Sequence, residues 1–160
     1  MLTAIPPAGP SPWPYQICLI KVAEPDELFN ANPREGWSVP EPWGRWALGT
    51  ESHAHWAVPL LKDYELLIDV FPNWIEGRTQ EITLLINDQE LAVLTFAEDA
   101  PLSETIHIPA ELLDEGWNKI TFLSEYAISP AETTDGLNPD TRPFSFGVSK
   151  LILRPSTPFP

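Results

Sequence analysis

The chain has 160 residues, and its contents of 43% hydrophobic and 11% aromatic residues are those of one globular domain with a sizeable core. Its formal net charge is −14 and it has no cluster of Lys or Arg, which argues against nucleic acid and against an anionic membrane surface as partners. The single cysteine, Cys18, rules out an intramolecular disulfide and a multi-cysteine metal site.

Prolines mark both ends of the predicted domain. The chain has 19 prolines, more than double the usual share of about 5%, which argues against a helical fold because proline breaks helix interiors. Residues 1–14 contain five of them and predict an extended arm or linker, and residues 155–160 predict a second proline-rich tail. Between these segments we predict one β-sandwich domain over residues 15–154.

Neither a secretion signal nor a membrane-spanning segment is visible in the sequence. The first fifteen residues contain no Lys or Arg and no continuous apolar stretch. No run approaches the roughly 18 apolar residues that a membrane helix needs. We therefore expect no membrane insertion and, by default, a cytoplasmic location.

Along the predicted domain, short runs rich in β-forming residues alternate with turn residues. Their spacing predicts strands over residues 15–22, 43–48, 56–60, 64–71, 80–87, 90–96, 105–108, 117–124 and 144–153. Asn87-Asp88 predicts a tight hairpin turn, residues 109–113 one helical turn near a proline, and residues 129–143 a long acidic loop. About nine strands with hardly any helix predict an all-β fold of two packed antiparallel sheets, a β-sandwich or jelly roll, with a meandering barrel as the alternative.

The densest motif spans residues 36–46, Gly-Trp-Ser-Val-Pro-Glu-Pro-Trp-Gly-Arg-Trp, and contains three of the seven tryptophans. Indole rings stack on the apolar C–H faces of sugar rings, and neighbouring charged groups bond the hydroxyls, so this composition is typical of a glycan site. The candidate ligand-binding residues here are Trp37, Glu41, Trp43, Arg45 and Trp46. The alternative is structural, because Trp43 and Trp46 flank Arg45 with the alternation of a strand and large rings commonly fill a sandwich core.

Two residues of the late acidic loop complete the candidate site. Asp140 and Arg142 precede the last strand, and we predict that Glu41 pairs with Arg142, and Arg45 with Asp140, across one end of the sandwich. A bidentate arginine–carboxylate contact would attach the loop to the Trp motif. Structural pairing and direct contact with a ligand are both open for these charges.

Two groups of side chains have some of the chemistry of a metal site. His53 and His55 share one strand face and, with Glu51, offer zinc ligands, but no second cluster with ligand spacing follows. The acidic loop offers oxygen ligands for calcium, without the spacing of an EF-hand, from Glu132, Asp135, Asn138 and Asp140. We therefore expect no metal and no cofactor, with calcium in this loop as the alternative.

Three motifs follow one another in a characteristic order. Gly-Trp-x-x-x-Glu-x-Trp-Gly-x-Trp is followed by Ile108-Pro109-x-x-Leu112-Leu113-x-x-Gly116-x-Asn118, and then by Asp140-x-Arg142 leading into Phe146-Gly147-Val148-x-x-Leu151. Over residues 35–153 this order resembles the galactose-binding-like β-sandwich modules that accompany bacterial glycosyltransferases and other surface-polysaccharide proteins. The resemblance implies a jelly-roll sandwich in a polysaccharide context, and the 160 residues contain no catalytic glycosyltransferase domain.

The residues predict a binding protein and not an enzyme. There is no Gly-x-Ser-x-Gly elbow and no phosphate-cradling glycine loop, and among 23 acidic residues some pair always has glycosidase spacing by accident. We predict a non-catalytic module that recognises a glycan through the Trp, Glu and Arg residues named above. The alternative is a structural or assembly subunit, an oligomer whose Trp cluster and Pro-rich arms pack against neighbouring chains, since Trp and Arg also dominate protein–protein contacts.

Overall fold

The computed structural model describes the backbone of residues 17–21 and, in full, residues 35–157. Within these ranges the chain forms nine strands, a 3-10 turn at Ala110–Leu112 and one short α-helix. The strands are β1 Ile17–Lys21, β2 Arg45–Leu48, β3 Glu51–Val58, β4 Tyr64–Pro72, β5 Gln80–Ile86, β6 Gln89–Phe96, β7 Leu102–Ile108, β8 Gly116–Ser124 and β9 Phe144–Pro155, and the helix is α1 Pro130–Thr133. The predicted arm of residues 1–14 and residues 158–160 of the predicted tail lie outside the described residues.

The strands form two antiparallel sheets, each four positions wide. The first sheet has the order β1-β9-β4-β7, and β2 shares the outer position with β1 because the 12 residues of β9 pair with β2 first and with β1 further on. The second sheet has the order β3-β8-β5-β6. From β2 to β9 the chain changes sheet at every connection except the β5–β6 hairpin, which is the strand order of a jelly roll. The predicted all-β fold of two antiparallel sheets is confirmed.

The core lies between the two sheets and is built by alternation along each strand. In β4, Leu66, Ile68 and Val70 are buried while the residues between them are half-buried on the outer face, as the period of two requires. The second sheet contributes Ile82, Leu84 and other residues of the same kind. The strands whose side chains are described, β2 to β9, therefore have one face in the core and one face toward solvent, and the outer faces are where a site can form.

Three elements differ from the sequence-based prediction. β3 begins at Glu51 and not at residue 56, because Gly49, with φ 71°, and Thr50 already complete the turn. β7 begins at Leu102 and not at residue 105. The predicted loop of residues 129–143 contains α1, which starts at a capping box in which Ser129 Oγ accepts from the Glu132 N–H at 3.2 Å.

The Asn87-Asp88 hairpin turn is confirmed. Both residues have positive φ, 48° and 69°, as a type I′ turn between two antiparallel strands requires. α1 has only four residues, and no helix within the described ranges is long and apolar enough to cross a membrane.

Candidate functional site

An aromatic patch lies on the outer face of the first sheet, formed by the rings of Trp43, Trp46, Phe71 and Phe144. Trp46 of β2 and Phe71 of β4 are both register partners of Gly147 in β9, so the two rings stand on the same face on either side of a residue without a side chain. A Cβ atom at Gly147 would collide with the Phe71 ring. Gly147 therefore provides the space in which the Phe71 ring lies.

A shift in strand register brings the fourth ring to this face. The pairing of β2 with β9 is irregular between Ala47 and Leu48, so that Leu48 faces Phe144. Phe144 stacks on Trp46 with ring centroids 4.9 Å apart and an interplanar angle of 22°. The Phe71 and Trp43 rings lie 5.3 Å and 5.2 Å from the Trp46 ring, at angles of 77° and 75°. The result is an angular cluster and not a flat platform.

Trp43 reaches the patch from the tip of a tight turn. Glu41 and Gly44 exchange backbone hydrogen bonds of 2.8 Å and 3.1 Å, with Pro42 in the second position of the turn, where proline is favoured. Gly44 has φ 144°, and its Cα lies so close to the Val148 carbonyl of β9 that no side chain would fit. The turn is thereby seated on the sheet, which leaves the Trp43 ring half-buried and the Glu41 side chain exposed.

An ion pair from the late loop lies beside the patch. Arg142 binds Asp140 through two atoms, with Nη2 2.7 Å from Oδ2 and Nε 3.0 Å from Oδ1, and its Cζ lies 5.1 Å from the centre of the Phe144 ring. The hydrogen bonds from the Arg142 side chain and backbone lower the pKa of Asp140 to about 2. The same contact raises the pKa of Arg142, and the nearby charge of Glu41 adds to that rise. An exposed guanidinium of fixed orientation therefore lies beside the aromatic rings.

The predicted pairing across the sandwich end is corrected by this geometry. Asp140 pairs with Arg142, two residues away, and not with Arg45, because the loop turns back on itself within two residues. Arg45 is 8% exposed and its Nη1 donates to the Ser38 carbonyl at 3.4 Å. Glu41 is near enough to raise the Arg142 pKa, while the hydrogen bonds of the guanidinium go to Asp140. The two predicted arginines thus occupy different environments, one mostly buried and one exposed.

Trp37 lies in the core and apart from the patch. It is 0% exposed, and its ring makes edge contacts with Phe122 and Phe146 at 5.5 Å and 6.2 Å. Its Nε1 donates to the His53 carbonyl at 2.7 Å, which satisfies the indole N–H inside the sandwich. A ring buried to this degree has no face to offer a ligand. The residues that remain accessible are Glu41, Trp43, Trp46 and Arg142, with Asp140 behind the guanidinium.

Three aromatic residues of the outer faces were not anticipated from the sequence. Phe71 and Phe144 belong to the patch, although neither lies in the Trp motif. Trp117, at the start of β8, is 66% exposed on the outer face of the second sheet, opposite Ala57. The alternation of β8 contained a signal for Trp117, since it has the parity opposite to the apolar core residues of that strand, Ile120 and Phe122.

Most of the side chains considered for metals have other partners. In the acidic loop, Glu132 caps α1 and Asp140 binds Arg142. His53 Nδ1 lies 3.0 Å from Thr121 Oγ1, and His55 Nδ1 lies 3.5 Å from a carboxylate oxygen of Glu35. No group of three or more His, Cys, Asp or Glu residues in the described part of the chain has a geometry that could hold a metal ion.

No protein-family model matches the sequence, and no curated protein sequence matches it. Similar solved structures include the CBM36-1 domain of a multidomain xylanase from the hindgut metagenome of Trinervitermes trinervoides, with 8% identity, a TM-score of 0.49 and coverage of 91% of this chain and 100% of that chain. A carbohydrate-binding module CBM36 in complex with calcium and xylotriose has 13% identity, a TM-score of 0.43 and coverage of 86% and 97%. A family 35 carbohydrate-binding module from Clostridium thermocellum has 15% identity, a TM-score of 0.44 and coverage of 85% and 96%. The strand order by itself makes the fold a jelly-roll β-sandwich.

Proposed function

We propose that this protein is a non-catalytic β-sandwich module that binds a neutral glycan on the aromatic patch. The observation that carries this proposal is the position of Trp43 and Trp46, half-buried on an outer sheet face beside an exposed carboxylate and an exposed guanidinium. A sugar ring stacks its apolar face on an indole and bonds charged groups through its hydroxyls, and this surface offers indole rings and charged groups side by side. The same chemistry was predicted from the motif of residues 36–46.

Each accessible residue has a role in this proposal. The Trp43 ring, at the tip of its turn, forms the wall on which a sugar ring stacks. Glu41 accepts hydrogen bonds from sugar hydroxyls, and Arg142 donates through the N–H groups that do not bind Asp140. Asp140 is a positioning residue, because it holds the guanidinium in one orientation without contacting the ligand itself.

The angles between the rings favour a soluble glycan over a crystalline one. Trp43 and Trp46 meet at 75°, and Trp46 and Phe71 at 77°. Rings at such angles line the two walls of a corner, whereas a flat crystalline polysaccharide needs rings in one plane. A sugar ring that protrudes from a soluble chain fits a corner of this kind.

The charge of the molecule favours a neutral ligand. With a net charge of −14, the protein repels a polyanionic glycan at long range. We further propose, on the resemblance in sequence alone, that the module acts beside a glycosyltransferase or another surface-polysaccharide protein.

A glycan array followed by titration of intrinsic fluorescence tests the proposal. Trp43→Ala is expected to weaken the binding of an array hit by about tenfold or more, since an aromatic contact contributes about 0.5–1.5 kcal/mol beyond its buried area and 1.4 kcal/mol is a factor of ten. The matched control is Trp117→Ala, which removes an exposed tryptophan from the opposite sheet and is expected to leave the affinity unchanged.

Light scattering on the same samples separates the two functions that the sequence left open. Glycan binding by a monomer supports the proposal. A protein that binds no glycan and forms a concentration-dependent oligomer contradicts it and favours the assembly subunit. Equal loss of binding in Trp43→Ala and Trp117→Ala would place the site elsewhere.

A further inference from the structure

A polar trench continues from the aromatic patch along the outer face of the first sheet. It is an open cavity of about 150 Å³ on the solvent side of β4, β7 and β9. Its lining combines one apolar side chain with hydroxyl, carboxylate and ammonium groups, from Leu67, Asp69, Ser103, Glu104, Thr105 and Lys150.

Alternation along β4 places the trench and the patch on the same outer face of the sheet. Phe71, Asp69 and Leu67 alternate with the buried residues of β4, so all three face outward in a row. At about 3.3 Å per residue, the row from Phe71 to Leu67 is about 13 Å long. Asp69 is flanked by Lys150 of β9 and Ser103 of β7 in the sheet register. The polar groups therefore begin one outward residue beyond the last ring of the patch.

The groups in the trench suit the hydroxyls of a sugar. Lys150 Nζ and Asp69 Oδ2 are 3.8 Å apart. Each side chain keeps more than a third of its surface exposed, 38% for Lys150 and 35% for Asp69. An ammonium donates and a carboxylate accepts, so the two can bind neighbouring hydroxyls of one ring. Ser103 and Thr105 lie exposed on β7, the edge strand, and add two hydroxyls on the opposite wall. Leu67 supplies the apolar floor.

We infer that the trench is a second subsite, and that the ligand of this protein is a neutral oligosaccharide that spans the patch and the trench. This inference rests on the proposed function, because it assigns one end of the ligand to Trp43. A single sugar covers only the patch. A longer chain reaches the trench and gains hydrogen bonds from Asp69 and Lys150.

The test compares ligand lengths by titration calorimetry. The probes are neutral β-1,4-linked gluco- and xylo-oligosaccharides of one, two and four units, together with graded lengths of any array hit. For the wild-type protein we expect the affinity to rise by about tenfold between two and four units, which corresponds to a few added hydrogen bonds. Ser103→Trp fills the trench from the exposed edge strand and is expected to keep the affinity for the short ligand and to lose this gain.

Thr95→Trp is the matched control, because Thr95 is exposed on β6, the edge strand of the other sheet. It is expected to show the wild-type gain with length. Asp69→Ala is a second, less bulky variant, which is expected to lose most of the gain without blocking the trench. The wild-type pattern in both Ser103→Trp and Asp69→Ala would overturn the second subsite.

Failure of the inference is distinguishable from failure of the proposed function. If Trp43→Ala weakens every length while Ser103→Trp changes none, the patch binds glycan and the trench does not. If the wild-type affinity does not depend on the length of the ligand, the trench likewise does not bind glycan. If no probe and no array hit binds the wild-type protein, both the proposed function and the second subsite are refuted.

Discussion

At the scale of single residues, the face of the sheet on which a ring lies decides what each tryptophan does. Trp37 and Trp56 face the core and are 0% and 2% exposed, while Trp117 faces solvent and is 66% exposed. The residue type is the same in all three positions. Trp56 and Trp117 lie on strands, where successive side chains alternate between the two faces. Trp37 precedes β2 and is held in the core at an isolated bridge to Ala47.

We predict that Trp37→Ala lowers the free energy of unfolding by about 3–5 kcal/mol, the usual loss when a large buried aromatic side chain is removed. The variant loses the edge contacts with Phe122 and Phe146 and leaves a cavity between the sheets. Urea unfolding followed by circular dichroism measures the loss. Trp117→Ala is the control and is expected to stay within about 0.5 kcal/mol of the wild type. Similar values for the two variants would contradict the placement of Trp37 in the core.

At the scale of elements, β9 organises the patch. It is the longest strand, it pairs with β1, β2 and β4, and its residue Gly147 lies opposite both Trp46 and Phe71 in the sheet, which lets their rings meet. Neighbouring residues of β9 face the core, so the strand contributes to the core and to the outer surface alternately. A change on its outer face should therefore alter the patch more than the packing between the sheets.

We predict that Gly147→Ala destabilises the protein by about 1–3 kcal/mol, the usual cost of inserting a group into a filled space. The added methyl collides with the Phe71 ring and displaces it, so the affinity for glycan also falls. Unfolding and glycan titration measure the two effects. The double variant with Phe71→Ala supplies the control, because the methyl then enters space that the ring has left. If the two substitutions are simply additive, the collision is not the cause.

At the scale of the whole molecule, the net charge of −14 affects the stability of the fold and the binding of a neutral glycan differently. Self-repulsion of the folded state weakens when salt shortens the range of electrostatic interactions, from about 30 Å at 0.01 M to about 8 Å at 0.15 M. A neutral glycan does not interact with the net charge. The two properties should therefore respond differently to ionic strength.

We predict that the melting temperature rises with sodium chloride from 0.01 M to 0.15 M, by about 2–4 °C for each kcal/mol of repulsion removed. The affinity for a neutral oligosaccharide should change by less than about twofold over the same range. Differential scanning calorimetry and titration calorimetry on one sample series measure both. An affinity that falls steeply with salt would indicate a charged ligand and contradict the proposal of a neutral one.

The sequence by itself determined the all-β class, most strands and the hairpin turn at Asn87-Asp88. These properties are local, since a period of two and a two-residue turn are written in adjacent residues. The strands that were placed too short, β3 and β7, carry polar residues near their starts, Glu51 to His53 in β3 and Ser103 and Glu104 in β7, which weaken the apolar alternation there. The capping box of α1 was also present as Ser129 and Glu132, and its signal was hidden within an acidic stretch that looked like a loop.

Only the tertiary structure decided which candidates form a site. A strand such as β2 has two equivalent faces until another sheet covers one of them, and Trp37 and Trp43 lie outside the strands. The sequence could therefore not separate the buried Trp37 from the half-buried Trp43 and Trp46. Phe71 and Phe144 join these rings through the pairing of β4 and β2 with β9, which brings together residues far apart in the chain. The partner of Asp140 depended on the path of its loop. The alternation of residues along a strand shows which side chains of that strand share a face. The long-range pairing of strands decides which side chains from different strands lie together on one face of the sheet.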